Sequence, residues 1–96
     1  MSFDDLQEAL RVLGLRERAT LREVRARHRE LVKRYHPDVG NGHDPEAIRT
    51  VNAAYTILCD YISGYRFSFA EAEFYEQNPD EHLRRQFMDD PVWGKG

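Results

Sequence analysis

The sequence predicts an all-α protein. Apolar residues recur at helical spacing, capping residues precede the helix-patterned stretches, and none of the 96 residues falls in a run with the period-two alternation of a strand. The spacing of Leu6, Ala9, Leu10 and Leu13 predicts a first helix over 3–13. Ser2 suits its start, Asp4 and Asp5 its first turn, and Gly14 the position after its end. Thr20 with Glu23 forms a capping box that opens a second helix over 21–35. Asp44 as N-cap and Pro45 as first residue open a third over 45–62, with Ile48, Val51, Tyr55, Leu58 and Ile62 as its apolar stripe and Gly64 at its end. Two shorter helices are expected over 69–77, from a Ser68–Glu71 capping box, and over 79–88, from Asn78-Pro79-Asp80-Glu81. Pro37, Gly40, Asn41 and Gly42 make 36–44 a reversing loop, so the second and third helices should lie antiparallel.

Length and composition narrow the class further. A 96-residue chain with 41% apolar and 32% charged residues fits one small soluble domain with little stability to spare. No apolar run approaches membrane-spanning length, and the N-terminus lacks the basic start and apolar stretch of a signal peptide. The single cysteine, Cys59, fits a reducing compartment. A cytoplasmic monomer without membrane association is therefore expected.

The net charge of −3 is unevenly laid out. Residues 1–65 carry ten basic and ten acidic residues, whereas 66–96 carry four basic and seven acidic. Within the neutral part, 21–35 hold five Arg and one Lys against two Glu. At 100° per residue this helix divides into three sectors. Leu21, Val24, His28, Leu31, Val32 and Tyr35 form a core face, with His28 a half-buried packing residue. Glu23, Arg27, Glu30 and Arg34 form a balanced face, with Glu23–Arg27 and Glu30–Arg34 expected as i,i+4 pairs. Arg22, Arg25, Arg29 and Lys33 form a third face with no acid in it. Such a face is often only a solvated surface. Here it leads to His36-Pro37-Asp38, where proline stops the helix and drives His36 from α geometry.

That tripeptide admits four readings. It could be an ordinary turn. It could be a general-base dyad, but no motif surrounds Ser2, Ser63, Ser68 or Cys59 as a nucleophile. It could belong to a metal site with His43 and Asp44, but the paired Cys/His spacing of zinc sites is missing. Or it could be a recognition element, with Asp38 meeting a basic residue of a partner and Pro37 fixing the bend. No catalytic residue, cofactor or metal is expected.

Residues 4–62 resemble the J-domain of the DnaJ/Hsp40 co-chaperones. The resemblance rests on Leu13-Gly14-Leu15, Leu21-Arg22-Glu23-Val24-Arg25, the run Leu31-Val32-Lys33-Arg34-Tyr35-His36-Pro37-Asp38, and Val51-Asn52-Ala53-Ala54-Tyr55-Thr56-Ile57-Leu58, in that order. It implies a non-enzymatic protein that binds the ATP state of an Hsp70-type, DnaK-like chaperone and stimulates its ATP hydrolysis. The family motif maps onto His36, Pro37 and Asp38, and the family's basic docking face onto Arg22, Arg25, Arg29 and Lys33. The chain departs from the family at His28, often aromatic there, at Val39 and Gly40, and after residue 62, where the usual basic fourth-helix pattern is absent. Two further readings stand beside this one. A small nucleic-acid-binding module could read with helix 21–35, although the net negative charge and the lack of a second basic element oppose it. A J-like scaffold could also bind partners without stimulating an ATPase.

The expected organisation is a J-domain-like part over 1–62 and an extension over 63–96 packed on it. Residues 61–96 hold eight of the eleven aromatics. They are expected either to complete the core or to bind a client or targeting protein.

Overall fold

The computed structural model describes residues 1–36 and 44–89. Five helices lie among the described residues: α1 (Phe3–Leu13), α2 (Leu21–Tyr35), α3 (Pro45–Ser63), α4 (Glu71–Gln77) and α5 (Pro79–Asp89). The all-α class is as predicted. No helix among the described residues is long and apolar enough to cross a membrane. The chain divides into two compact units, Met1–Tyr65 and Arg66–Gly96.

Local chemistry sets the helix ends in the first unit. Ser2 and Asp5 form a reciprocal capping box on α1, and Thr20 and Glu23 do the same on α2. Asp44 Oδ1 accepts the Ala47 N–H at 3.1 Å, with Pro45 in the first turn of α3. Gly14 ends α1 at φ 69°, a conformation that strains any residue with a Cβ.

Among the described residues, the buried ones all come from these three helices: Ala9 and Leu13 of α1, Val24 and Leu31 of α2, and Val51, Ala54 and Leu58 of α3. Both α1 and α2 pack on α3, which makes α3 the hub. The Asp44 N–H donates to the Tyr35 carbonyl at 3.3 Å, while His28 further back on α2 meets Asn52 and Tyr55 further along α3. The pairings run in opposite directions, so α2 and α3 form the expected antiparallel pair.

One polar strut joins α1 to α2. Arg27 Nε donates to the Leu13 carbonyl at 2.8 Å, satisfying an orphan acceptor at the end of α1. The glycine makes room for it, since a Cβ on Gly14 would lie 3.0 Å from Arg27 Nη2. Arg27 Nη1 also donates to Glu30 Oε1 at 2.5 Å. These contacts correct the charge pairing expected on the balanced face. The Glu23 carboxylate is occupied with the Thr20 N–H at 2.7 Å, and Glu30 turns back to Arg27. Arg34 makes no ion pair among the described residues.

In the second unit, no residue of α4 is buried, and every side chain described on α5 is exposed. The capping box expected at Ser68 does not form. Helix α4 starts two residues later than predicted, and the Ser68 hydroxyl accepts the Ala70 N–H at 3.3 Å instead. The Asn78 side chain closes α4 through the Phe74 carbonyl at 2.8 Å, while its own carbonyl accepts from Glu81 and His82. Arg85 joins the two helices, reaching Glu71 Oε2 at 2.5 Å and Tyr75 Oη at 3.0 Å.

Two outcomes test this packing. Arg27→Met should lower the unfolding free energy by about 1–2 kcal/mol, because it leaves the Leu13 carbonyl unpaired. Arg34→Met should change it by less than about 0.5 kcal/mol. Urea denaturation measures both, and equal losses would contradict the strut. The Asp5 carboxyl is held below its ordinary pKa by hydrogen bonds from Ser2, the backbone N–H first. Its contribution is therefore present above the ordinary carboxylate pKa and is lost as pH falls through the lowered one. Asp5→Asn should flatten that acid-side decline in a pH series of melts, and an unchanged slope would argue against it.

Candidate functional site: the outer face of α2

A helix has one rotation about its axis, and burial of Val24 and Leu31 fixes that of α2. Arg22, Arg25, Arg29 and Lys33 then share about 80° of arc on the far side of the helix. All four are exposed, and none makes an ion pair with another described residue. Their charge is uncompensated on that face. Each like-charged neighbour pair costs the isolated helix a few tenths of a kcal/mol. The face is therefore tolerated by the fold and not required by it.

The stripe ends at His36. This residue caps α2 with extended backbone, φ −72° and ψ 143°, as expected of a residue before proline. Its N–H reaches the Lys33 carbonyl at 3.5 Å. One open groove is lined by His36, Arg29 and Lys33 together with Ala26, Val32, His28 and the acid Glu30. The imidazole and the last two cations of the stripe thus border one concavity. Pro37 and Asp38, with Val39 to His43, lie outside the described residues. The Asp44–Tyr35 hydrogen bond joins the residues that flank this segment.

His28 also lines this groove. Its ring stacks on Tyr55 with centroids 3.9 Å apart and planes 6° from parallel, and Nε2 lies 2.8 Å from Asn52 Oδ1. It acts as the half-buried packing residue the sequence suggested, with a hydrogen bond that a phenylalanine ring there could not make. Among the described residues, no group of three His, Cys, Asp or Glu side chains could hold a metal ion. Cys59 is half-buried on α3.

Sequence reasoning missed the two residues that orient the site from behind. Arg27 looked like one member of a solvated charge pair, yet it ties α2 to the end of α1. Asn52 carries no sequence signal beyond its position one turn before Tyr55, yet it holds the ring of His28.

Comparison with known proteins identifies the family. The family model described as the DnaJ domain matches residues 3–63. The chaperone protein DnaJ of Rickettsia typhi is 38% identical over 55 residues, covering 56% of this chain and 15% of that protein. The same-named protein of Finegoldia magna is 40% identical over 52 residues, 51% of this chain and 14% of the relative. Mouse DnaJ homolog subfamily C member 5B is 33% identical over 90 residues. That match covers 88% of this chain, reaching beyond residue 63, and 45% of the mouse protein. The chain thus spans a small part of the bacterial relatives and under half of the mouse one. No solved structure matches it. With the model matching 3–63, which contains all of α1, α2 and α3, the chain belongs to the DnaJ-domain family.

Proposed function

We propose that the protein is a co-chaperone that docks on an Hsp70-type, DnaK-like ATPase through α2 and stimulates its ATP hydrolysis, working as a cytoplasmic monomer. The observation that carries this reading is the exposed acid-free face of α2, which runs to the groove bordered by His36. Membership of the DnaJ-domain family supports the choice of partner. The hydrolysis takes place in the partner, and this chain supplies no catalytic group.

Physics assigns the parts different work. Exposed charges on a fixed helix steer encounter with an acidic surface and set orientation, with a reach of about 8–10 Å at physiological salt. Arg22, Arg25, Arg29 and Lys33 take that role. They span about three turns, so the contact has direction as well as sign. His36 stands at the far end of the stripe, and it and the two residues that follow it in sequence, Pro37 and Asp38, are assigned the action on groups that change position when the partner hydrolyses ATP. Docking and stimulation are then separable. Loss of stripe charges weakens the first, and loss of the tripeptide removes the second.

Single-turnover ATP hydrolysis by a bacterial DnaK is the direct assay. The wild-type chain should accelerate it, and His36→Gln or Asp38→Asn should abolish the acceleration while far-UV circular dichroism stays unchanged. Stimulation at the wild-type level by both variants would sink the assignment. Charge reversal at Arg25 and Arg29 should cut association about tenfold at low salt. The deficit should shrink as salt rises, and a salt-independent deficit would rule out electrostatic docking.

A further inference from the structure

His28 stands between the two faces of α2. At 100° per residue it lies about 60° from Leu31 on the buried side and about 60° from Arg25 on the charged side. From α3, Asn52 Oδ1 accepts from Nε2–H at 2.8 Å, and the Tyr55 ring stacks on the imidazole at 3.9 Å. These two contacts fix the orientation of the ring. The same half-buried side chain lines the groove with Arg29, Lys33 and His36. An ionisable ring is thus clamped to the core at the border of the docking face.

Imidazole is the side chain whose charge ordinarily changes between about pH 5 and 8. The contacts of His28 accommodate both states of the ring. With Oδ1 on Nε2–H, the second proton goes to Nδ1, and the bond to Asn52 survives as a charge-assisted one. The charged ring then lies over the negative face of Tyr55. Nothing described around it cancels the new charge. On α2 its neighbours are Arg25, Arg29, Lys33 and His36, and the acid of the groove, Glu30, is paired with Arg27 at 2.5 Å. On α3 the ring meets the uncharged Asn52 amide and the Tyr55 ring, while Arg49, one turn before Asn52, is paired with Glu46.

We infer that His28, clamped by Asn52 and Tyr55, is a proton-responsive part of the docking face. Protonation widens the positive stripe of α2 toward α3, so docking on an acidic partner surface strengthens as the medium becomes more acidic. This inference rests on the docking function proposed above. One added charge roughly 8 Å from a partner carboxylate changes affinity by a factor of about two to three in water. Salt reduces that factor. The device adjusts docking by degree and leaves the acid-free stripe in place at every pH.

The experiment measures the affinity of the labelled full chain for ATP-bound DnaK by fluorescence anisotropy at low salt, at about pH 6 and about pH 7.5. Two variants serve as references. His28→Phe keeps a ring to stack on Tyr55, and His28→Gln keeps a donor for Asn52; neither can charge. Titration of DnaK and of His36 is common to all three chains and cancels in the ratio of wild-type to variant affinity. That ratio should rise about two- to threefold from the higher pH to the lower, for both variants. Circular dichroism checks that each variant keeps its helices, and His28→Gln carries the test if His28→Phe unfolds. The ring C–H signals of His28 in the free chain should titrate between the two pH values. A ratio that stays constant or falls, or a His28 ring that does not titrate there, would overturn the inference while leaving the docking function standing. No binding by wild type at either pH would overturn both.

Discussion

Everything presented on α2 depends on the burial of Val24 and Leu31 against α3. Those two side chains fix the one degree of freedom that matters for a docking helix, its rotation about its own axis. Once they are buried, Arg22, Arg25, Arg29 and Lys33 must face outward. Truncating a buried leucine such as Leu31 costs about 2–5 kcal/mol, whereas each like-charge neighbour on the outer face costs only tenths. The core term wins by an order of magnitude. The fold can therefore hold a one-sided charge pattern that no isolated helix would favour.

The strut from Arg27 to the Leu13 carbonyl reinforces that constraint from a second direction. Helix α1 also packs on α3, and the strut couples its C-terminal end to α2. Gly14 serves two purposes there, a left-handed turn and an open space for the guanidinium. By drawing Glu30 toward it, Arg27 also leaves Arg34 without that carboxylate, so the last turn before His36 is more positive than the i,i+4 pattern suggests. The same contacts that stabilise the first unit thus sharpen the charge contrast on the surface it offers.

The helices and their faces were legible in the sequence because local rules govern them. The caps at Ser2, Thr20 and Asp44, the left-handed Gly14 and the extended His36 follow from one or two neighbouring residues. The stripes of α1, α2 and α3 follow from periodicity. What could not be read were choices between competing partners. Glu23 could serve the cap or Arg27, and the backbone N–H of Thr20, fixed in position, won. Glu30 could reach forward or back, and an Arg27 already anchored on Leu13 decided it. Ser68 had the spacing of a capping box, but α4 begins too late for that hydroxyl to cap it. The candidate face of α2 was legible from periodicity, while Pro37 and Asp38 of the motif lie outside the described residues. The residues that hold it in place, Arg27 and Asn52, contact partners 14 and 24 positions away, beyond the reach of local patterns.

The central claim is that the acid-free face of α2, ending at His36, is the surface that meets the chaperone. The most direct measurement is an NMR titration of the isotope-labelled chain with ATP-bound DnaK, following backbone and arginine side-chain signals. The account predicts shifts and broadening centred on Arg22, Arg25, Arg29, Lys33 and His36, fading as salt is raised, with α1 little affected. Perturbations centred on the outer face of α1 or on α4 and α5, with α2 unchanged, would contradict it.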